Sequence, residues 1–336
     1  MSHQLMLRST LAALCLALSG MAHAQAGLEA LVKAAKAEGE VVFYSGATDN
    51  VIRRTLDAFG AQYGIKYQYV RMPSAQLLQR YSTEAETNAT AADLVFVAGG
   101  AYAFASEAVK KGWVEPIKQA GIPALTSGQF PAKFISDPTV TIQLSPWGIA
   151  YNTDKVSAAE APKDWPDIFN ARFRGQILIA DSRSSDAILE GWSLLLDKYG
   201  EAFFTRLREM KPRLYAGNVP AASGLAAGEG QILLPSTGQL VQLMKGMGAP
   251  IGDFFPAHTT GVEMQLFVTT RARSRHPNAA RLLAHFVMTA EGNKLFNADP
   301  GSVSVFDTSN LPREYEPNKP GTVARKDLVA KLLGFQ

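Results

Sequence analysis

The fold is decided by the stretch Arg174–Trp192, which reads RGQILIADSRSSDAILEGW. Its short apolar run, Gln176–Ala180, predicts a strand buried on both faces, as in parallel sheets. After the polar turn Asp181–Ser185, apolar residues recur at helical spacing, so Ser184 or Ser185 lies near a helix N-cap. Such a loop leaves backbone N–H groups free for an anion. We interpret it as half of a ligand site, with ordinary N-capping and no ligand as the alternative.

Length and composition indicate a globular chain of two domains. The chain has 336 residues, 47% of them hydrophobic and 19% charged, and domains average about 100–200 residues. The formal net charge is +3 and no run of Lys or Arg stands out. A nucleic-acid-binding protein needs a stronger basic patch, so we predict no nucleic-acid partner.

The N-terminus has the pattern of a secretory signal. Arg8 supplies the positive start, Leu11–Leu18 the apolar run, and Ala22-His23-Ala24 a small-x-small cleavage site. We therefore predict a signal peptide over residues 1–24, cleavage after Ala24, and export to the periplasm. The one cysteine, Cys15, lies inside this signal, so the mature chain would have no thiol.

Strand and helix patterns alternate along the rest of the chain. Val41–Tyr44, Tyr67–Tyr69 and Leu94–Val97 read as strands, each followed by apolar residues at helical spacing. Repeated strand-then-helix units imply right-handed crossovers and a mainly parallel sheet that binds ligands at the carboxyl ends of its strands. We therefore predict an α/β fold with flanking helices.

Two segments read as crossings between lobes. The stretch TIQLSPWGIAYN predicts an extended segment broken at Pro146 and Gly148, and a second crossing falls around His258–Val268. We expect residues 25–145 and 257–300 to form the first lobe and residues 146–256 the second. Residues 301–336 form a C-terminal segment that packs on the lobes and ends in a short helix.

Four strand-to-helix turns rich in Ser, Thr and Gly would face one cleft. They begin at Ser45, Ala98, Asp181 and Ser236. Each helix N-terminus favours an anion by about 0.3–1 kcal/mol, so several together can hold a small anion without any enzyme-like residue. The predicted ligand-binding residues lie in three places: these four turns, a further turn at Asn218, and the second crossing. They are Ser45, Gly46, Thr48, Asp49, Gly99, Gly100, Ser182, Arg183, Ser184, Ser185, Asn218, Ser236, Thr237, His258 and Glu263.

Charged residues in the turns leave alternatives open. Arg183 is the one cation inside a turn, and it is either a two-pronged clamp for carboxylate or phosphate or a solvated loop residue. Asp49 and Asp181 are either helix caps or partners for the cationic group of a zwitterionic ligand. His258 and Glu263 lie in the second crossing, from which they can reach the cleft.

Enzyme signatures are mostly missing from the sequence. There is no G-x-S-x-G elbow, no Walker-type G-x-x-x-x-G-K and no H-E-x-x-H. No histidine lies near any of the four turns in sequence, although a hydrolase would need a nucleophile and base in contact. We predict no enzyme activity, cofactor or metal, and a secreted hydrolase is the alternative from a different class.

The chain resembles the solute-binding proteins of ABC importers, in the group that contains the ferric-iron-binding proteins. The resemblance covers essentially all of the mature chain. The stretches that carry it are AEGEVVFYSGATD, ATAADLVFVAGG, GIAYNTDKV, FRGQILIADSRSSD, PRLYAGNVPAASGLAAGEGQILLPSTG and HPNAARLLAHFVMTAEGNKLFN. It implies a two-lobed type II periplasmic binding fold, ligand capture by hinge closure, and delivery to an inner-membrane permease with its cytoplasmic ATPase. We expect a monomer.

The departures from that resemblance concern the ligand. Iron-binding members use histidine, tyrosine or acidic ligands where this chain has Ala47–Asp49, Ala98–Gly100 and Ser236–Gly238. A ferric ion needs anionic oxygen ligands, and Asp49 alone cannot supply a set. The turn matching Ser182–Ser185 and the region of Asn218 hold a companion anion in the iron binders. The resemblance thus implies a small anionic organic solute, such as a phosphonate, organophosphate or carboxylate, with ferric iron plus a companion anion as the alternative.

Overall fold

The computed structural model describes residues 25–319 and 321–335. The predicted signal peptide therefore lies outside the described residues. Within these ranges, no helix is both long enough and apolar enough to span a bilayer.

The described chain is built from alternating helices and strands. The helices are α1 (25–38), α2 (Asp49–Tyr63), α3 (Ser74–Glu86), α4 (Ala101–Lys110), α5 (Pro123–Thr126), α6 (Asp186–Glu209), α7 (Asn218–Ala226), α8 (Gly238–Gly246), α9 (Pro277–Val287), α10 (Ala290–Phe296) and α11 (Lys326–Leu333). Short 3-10 helices occur at Ile117–Gln119, Ala132–Phe134, Trp165–Phe169, Ala171–Phe173, Ser182–Ser184 and Thr322–Arg325. The strands are β1 (Glu40–Ser45), β2 (Lys66–Arg71), β3 (Leu94–Ala98), β4 (Ile135–Ser136), β5 (Thr139–Asn152), β6 (Ile177–Ala180), β7 (Arg213–Tyr215), β8 (Ile232–Thr237), β9 (Ile251–Phe254), β10 (His258–Thr259), β11 (Gly261–Val268), β12 (Val303–Ser304) and β13 (Glu314–Tyr315).

The chain divides into two compact units. Unit 1 comprises the residues up to Phe96 together with Ala105–Val140 and Leu266–Phe296. Unit 2 comprises Val97–Phe104, Thr141–Gln265 and the residues from Asn297 onward. Strands β5 and β11 each begin in one unit and end in the other.

Unit 1 contains a parallel sheet. Strand β1 pairs in parallel with β2, from Glu40 opposite Lys66 to Ser45 opposite Arg71, and with β3 on its other side. All of β3 except its last residue is buried, because helices cover both faces of such a sheet. The predicted parallel arrangement is confirmed for these strands.

Unit 2 contains a mixed sheet in which the decisive stretch forms a strand between β7 and β8. Strand β6 is buried at all four residues, pairs in parallel with β7 and β8, and leads into α6. Strand β5 joins the other side of β8 in antiparallel register, with Trp147 opposite Thr237. Trp192 of α6 packs with Ile179 of β6 and Leu333 of α11 in one hydrophobic core. The predicted buried strand, the helix after it and the short terminal helix are all confirmed.

The predicted break in the first crossing is wrong. Residues Thr139–Asn152 form one continuous strand. Its register shifts between Gly148 and Ala150, and a bulge of this kind accommodates an irregular position without ending a strand. Gly148 is needed there because a Cβ atom would lie 2.3 Å from the Phe254 carbonyl oxygen.

Candidate functional site

The central turn of unit 2 is fixed by Asp181. Its backbone N–H donates to the Tyr215 carbonyl (2.9 Å) at the end of β7, and its carboxylate accepts a hydrogen bond from the Arg183 N–H (2.9 Å). Ser185 is the N-cap residue of α6, as predicted, but its side chain makes no capping hydrogen bond. The first N–H groups of α6 therefore lack the side-chain acceptor that usually satisfies one of them.

The serines of this turn differ in their surroundings. The Ser184 hydroxyl donates to the Asp181 carbonyl (2.6 Å), so it is already engaged. Ser182 is completely buried, and its hydroxyl has no hydrogen-bond partner among the described residues. A buried hydroxyl left unpaired costs about 1–3 kcal/mol, which a ligand oxygen would recover.

A second helix begins beside this turn. Helix α7 starts at Asn218 after Gly217, and a Cβ atom at Gly217 would lie 3.9 Å from the Ser184 hydroxyl oxygen. The side-chain oxygen of Asn218 is buried and unpaired within the part of the chain that the structure describes. The starts of α6 and α7 therefore lie close together, as expected for neighbouring parallel strands.

The glycine turn after β3 also approaches α6. Gly99 and Gly100 have positive φ angles of 71° and 68°, and Val97–Phe104 belongs to unit 2. A Cβ atom at Gly99 would lie 3.1 Å from the backbone nitrogen of Ala187 and 3.4 Å from Cβ of Asp186. A side chain here would thus cover an N–H group in the first turn of α6.

The end of β8, where a turn was predicted, contributes one further unpaired hydroxyl. Ser236 is 2% exposed, and its hydroxyl has no partner in residues 25–319 and 321–335. Thr237 caps α8, accepting a hydrogen bond from the Leu240 N–H (3.3 Å). The start of α8 is covered, because Gly301 and Asp253 lie close to the Cβ position of Gly238.

Two basic residues beside the start of α6, Arg183 and Lys326, are each paired with a carboxylate. Arg183 binds Asp181 through two guanidinium nitrogens, at 3.0 and 2.8 Å, and hydrogen bonding to Arg183 lowers the pKa of the Asp181 carboxyl. Lys326 of α11 lies 3.2 Å from the Asp186 carboxylate. The donors left for a ligand in this region are therefore neutral hydroxyl and N–H groups.

The predicted site residues of unit 1 lie in the turn after β1. The Ser45 hydroxyl accepts a hydrogen bond from the Ala47 N–H (3.1 Å), and the Gly46 N–H donates to the Phe96 carbonyl (2.9 Å). Thr48 is the exposed N-cap residue of α2 and makes no capping bond through its side chain. Asp49 accepts a hydrogen bond from the Tyr69 hydroxyl (3.1 Å). This turn therefore leads into helix α2 and presents the exposed hydroxyl group of Thr48.

His258 and Glu263 contact the C-terminal segment. His258 Nε2 lies 2.6 Å from a Glu316 carboxylate oxygen. Glu263 is 5% exposed and accepts hydrogen bonds from Thr141 (3.0 Å) and from the Asn318 N–H (3.0 Å). Both side chains are therefore bound to other residues of the protein and not to the helix starts described above.

Comparison with known proteins identifies the family. A family model described as bacterial extracellular solute-binding protein matches residues 41–299. The chain belongs to this family. An uncharacterized protein of Haemophilus influenzae is 29% identical over 308 residues, which cover 88% of this chain and 86% of that protein.

Solved structures of solute-binding proteins share its fold. Iron-bound HitA from Pseudomonas aeruginosa superposes with a TM-score of 0.69 at 17% identity, covering 88% of this chain and 99% of HitA. AfuA from Actinobacillus pleuropneumoniae, with fructose-6-phosphate bound, superposes with a TM-score of 0.61 at 20% identity, covering 84% of this chain and 88% of AfuA. The predicted mixed α/β fold of type II periplasmic binding proteins is confirmed.

Two features of this solute-binding protein were not predicted from its sequence, the Arg183–Asp181 pair and the contacts of Asn318. The pair was missed although an acid and a base two residues apart in a turn is a recognisable signal. Asn318 binds Glu190 (2.7 Å) from the Pro-rich tail. No periodic pattern marks that residue. Among the described residues, no group of three or more histidine, cysteine or acidic side chains is placed to hold a metal ion.

Proposed function

We propose that this protein is the substrate-binding component of an ABC importer and captures a small anionic organic solute. Phosphonates, organophosphates and carboxylates are the classes that suit its donors. The solute is held by helix starts and hydroxyl groups, and the protein works without a cofactor. Its partners are an inner-membrane permease and the attached ATPase, its compartment is the periplasm, and it acts as a monomer.

One observation carries this proposal. The starts of α6 and α7, the Gly99 turn and the unpaired hydroxyls of Ser182 and Ser236 belong to the same edge of the unit 2 sheet, where β6 and β8 end. Hydrogen bonds from such donors to a charged group contribute about 1.5–3 kcal/mol each. Helix N-termini add about 0.3–1 kcal/mol each. Together these contacts offset the translational and rotational freedom that the solute loses on binding.

The pairing of the nearby cations favours an anion bound by neutral donors. Arg183 and Lys326 are both held by carboxylates, so neither is free to form an ion pair with the solute. Binding through oriented N–H and hydroxyl groups selects a compact group with several acceptor oxygens. A phosphonate, phosphate ester or carboxylate has this arrangement, whereas a bare metal ion offers no acceptor.

We further propose that capture involves closure of the two units about β5 and β11. These strands pass from one unit to the other, and hinge closure around a ligand is a common motion of such proteins. In this proposal the turn Ser45–Asp49, with its exposed Thr48 hydroxyl, supplies the contacts from unit 1.

A thermal-shift screen of the ligand-stripped protein tests the proposal. The panel contains phosphonates, sugar phosphates and carboxylates, each with its neutral parent compound, together with amino acids and ferric citrate. A ligand at about 100 times its Kd adds roughly 2.7 kcal/mol to the free energy of unfolding, a rise of several degrees in Tm. We expect a rise with at least one organic anion and none with its neutral parent. A rise with ferric iron alone, or with neutral sugars, would contradict the proposal.

A further inference from the structure

A short C-terminal segment lies along the start of the second crossing strand. This strap, Glu314–Lys319, pairs in parallel with β10, with His258 opposite Glu314 and Thr259 opposite Tyr315. The Glu316 N–H donates to the Thr259 carbonyl (2.8 Å). The two-residue pairing is short, so side-chain contacts are needed to hold the strap in place.

Beside the His258–Glu316 pair and the hydrogen bond from the Tyr315 hydroxyl to Glu263, Asn318 supplies most of those contacts. Its amide nitrogen donates to the Glu190 carboxylate (2.7 Å) and to the Gly261 carbonyl (3.0 Å). Its amide oxygen accepts a hydrogen bond from the Thr260 hydroxyl (2.6 Å), and its backbone N–H donates to Glu263 (3.0 Å). One side chain therefore joins α6, the start of β11 and the strap.

The same network reaches the first crossing strand. Glu263 accepts a hydrogen bond from the Thr141 hydroxyl of β5 (3.0 Å). The Trp147 N–H donates to the Thr260 carbonyl (2.8 Å), and the Thr259 hydroxyl donates to the Trp147 carbonyl (2.7 Å). The strap is thus hydrogen-bonded directly to β11 and is linked to β5 through Glu263 and through Thr259 and Thr260, all within unit 2.

Two buried glutamates in this network accept hydrogen bonds from Asn318, and the bond to Glu190 depends on its side chain. Burial raises the pKa of both Glu190 and Glu263, and the charge of Glu263 adds to the effect on Glu190. Buried carboxyl groups require hydrogen-bond donors. The side chain of Asn318 donates to Glu190, and its backbone N–H donates to Glu263. Glu190 and Asn318 also line a cavity of about 20 Å³, roughly the space of one water molecule. Hydrogen bonds therefore contribute to holding this part of the strap.

We propose that the strap is a clamp on the crossing strands, that Asn318 is its positioning residue, and that the clamp sets how freely the two units move during solute capture. The role of this movement in capture rests on the proposed function. The clamp itself does not, because it acts in the ligand-free protein. Weakening it should broaden the motion of the units without removing any ligand contact.

Single-molecule energy transfer on the full chain tests the clamp directly. Dyes are attached at Glu86→Cys in unit 1 and Glu209→Cys in unit 2, both exposed positions, in a chain carrying Cys15→Ser. In Asn318→Ala we expect a wider distribution of dye-to-dye distances in the absence of ligand. The control Asn310→Ala, an exposed position in the same tail, should leave the distribution unchanged. An unchanged distribution in Asn318→Ala would overturn the proposal even if Tm falls.

Hydrogen exchange separates the clamp from a general loss of stability. In Asn318→Ala, amides in β5 and β11 should exchange at least about fivefold faster, while those of β1 and β6 keep their wild-type rates. Equal acceleration throughout would mean that Asn318 serves only overall stability, and no acceleration would mean that it holds nothing. Neither measurement uses a ligand, so a failed ligand screen would refute the proposed solute and leave the clamp result standing.

Discussion

Asp181 holds the guanidinium group of Arg183 in a two-pronged ion pair, with Nε 3.0 Å and a terminal nitrogen 2.8 Å from its carboxylate oxygens. Because this pair lies in the turn that precedes α6, the turn presents a nearly neutral surface to a ligand. The sequence alone left Arg183 as either an anion clamp or a solvated residue, and the structure shows it bound to the protein.

This pair predicts opposite effects for two substitutions. Asp181→Asn keeps an oxygen to cap the Arg183 N–H but releases the guanidinium, so affinity for an organic anion should rise about three- to tenfold. Arg183→Ala leaves the Asp181 charge uncompensated, so affinity should fall by a similar factor. Both effects should shrink in high salt because salt screens exposed charges.

Titration calorimetry at low and high salt measures both changes. Lys110→Ala, which removes an exposed pair with Glu107 in α4, is the matched control and should have no effect. Equal loss of affinity in Asp181→Asn and Arg183→Ala would show that the intact pair, rather than its charge balance, matters for binding.

Gly99 predicts a steric effect on the site. Gly99→Ala introduces a Cβ atom 3.1 Å from the Ala187 nitrogen, which crowds the first turn of α6, so ligand affinity should fall at least about tenfold. Gly64→Ala is the matched control, since Gly64 has nearly the same φ angle (70°) but no atom within 4 Å of the added carbon. The two variants should lose similar stability. If Gly64→Ala also lost affinity, backbone strain rather than crowding would be responsible.

Glu190 predicts that stability falls as pH rises. Burial, together with the charges of Glu263 and Asp186, raises the pKa of Glu190 to about 8. Between pH 4.5 and about 8 the unfolded chain has released this proton while the folded chain keeps it, so the free energy of unfolding decreases through that range. Glu190→Gln removes this dependence and should stabilise the protein at pH 8.5 by roughly 2–4 kcal/mol relative to wild type.

Urea unfolding at pH 5.5 and pH 8.5 measures this difference. Glu201→Gln, an exposed position just beyond the kink of α6 at Gly200, should follow the wild type at both pH values. A Glu190→Gln variant that is no more stable than wild type at pH 8.5 would mean that Glu190 is already ionised at neutral pH in the folded protein.

Local patterns in the sequence account for most of the fold. Strand β6 and the start of α6 follow from an apolar run, a polar turn and helical spacing, all within 19 residues of one another. The break expected at Pro146 and Gly148 was wrong because a bulge, which depends on the neighbouring strand, keeps the segment extended. Such pairing cannot be read from one segment alone.

The site was only partly predictable for the same reason. The turns rich in Ser and Gly mark helix starts, and Ser185 indeed occupies the N-cap position of α6, although its side chain makes no capping hydrogen bond. Which hydroxyls are unpaired depends on contacts: Ser182 and Ser184 are two residues apart, yet only Ser184 finds a carbonyl to bind. Asn318 binds residues far away along the chain, so no local pattern could reveal its role.

The most direct test of the account is to titrate the strongest organic anion from the screen into wild type and into a Ser182→Ala, Ser236→Ala double variant. Both hydroxyls are unpaired among the described residues, so their removal should not lower Tm. We predict that affinity falls at least tenfold while Tm is maintained, and that Ser309→Ala, which removes an exposed hydroxyl bonded to Asp307, leaves affinity unchanged. Wild-type affinity in the double variant would contradict the proposed anion site in unit 2.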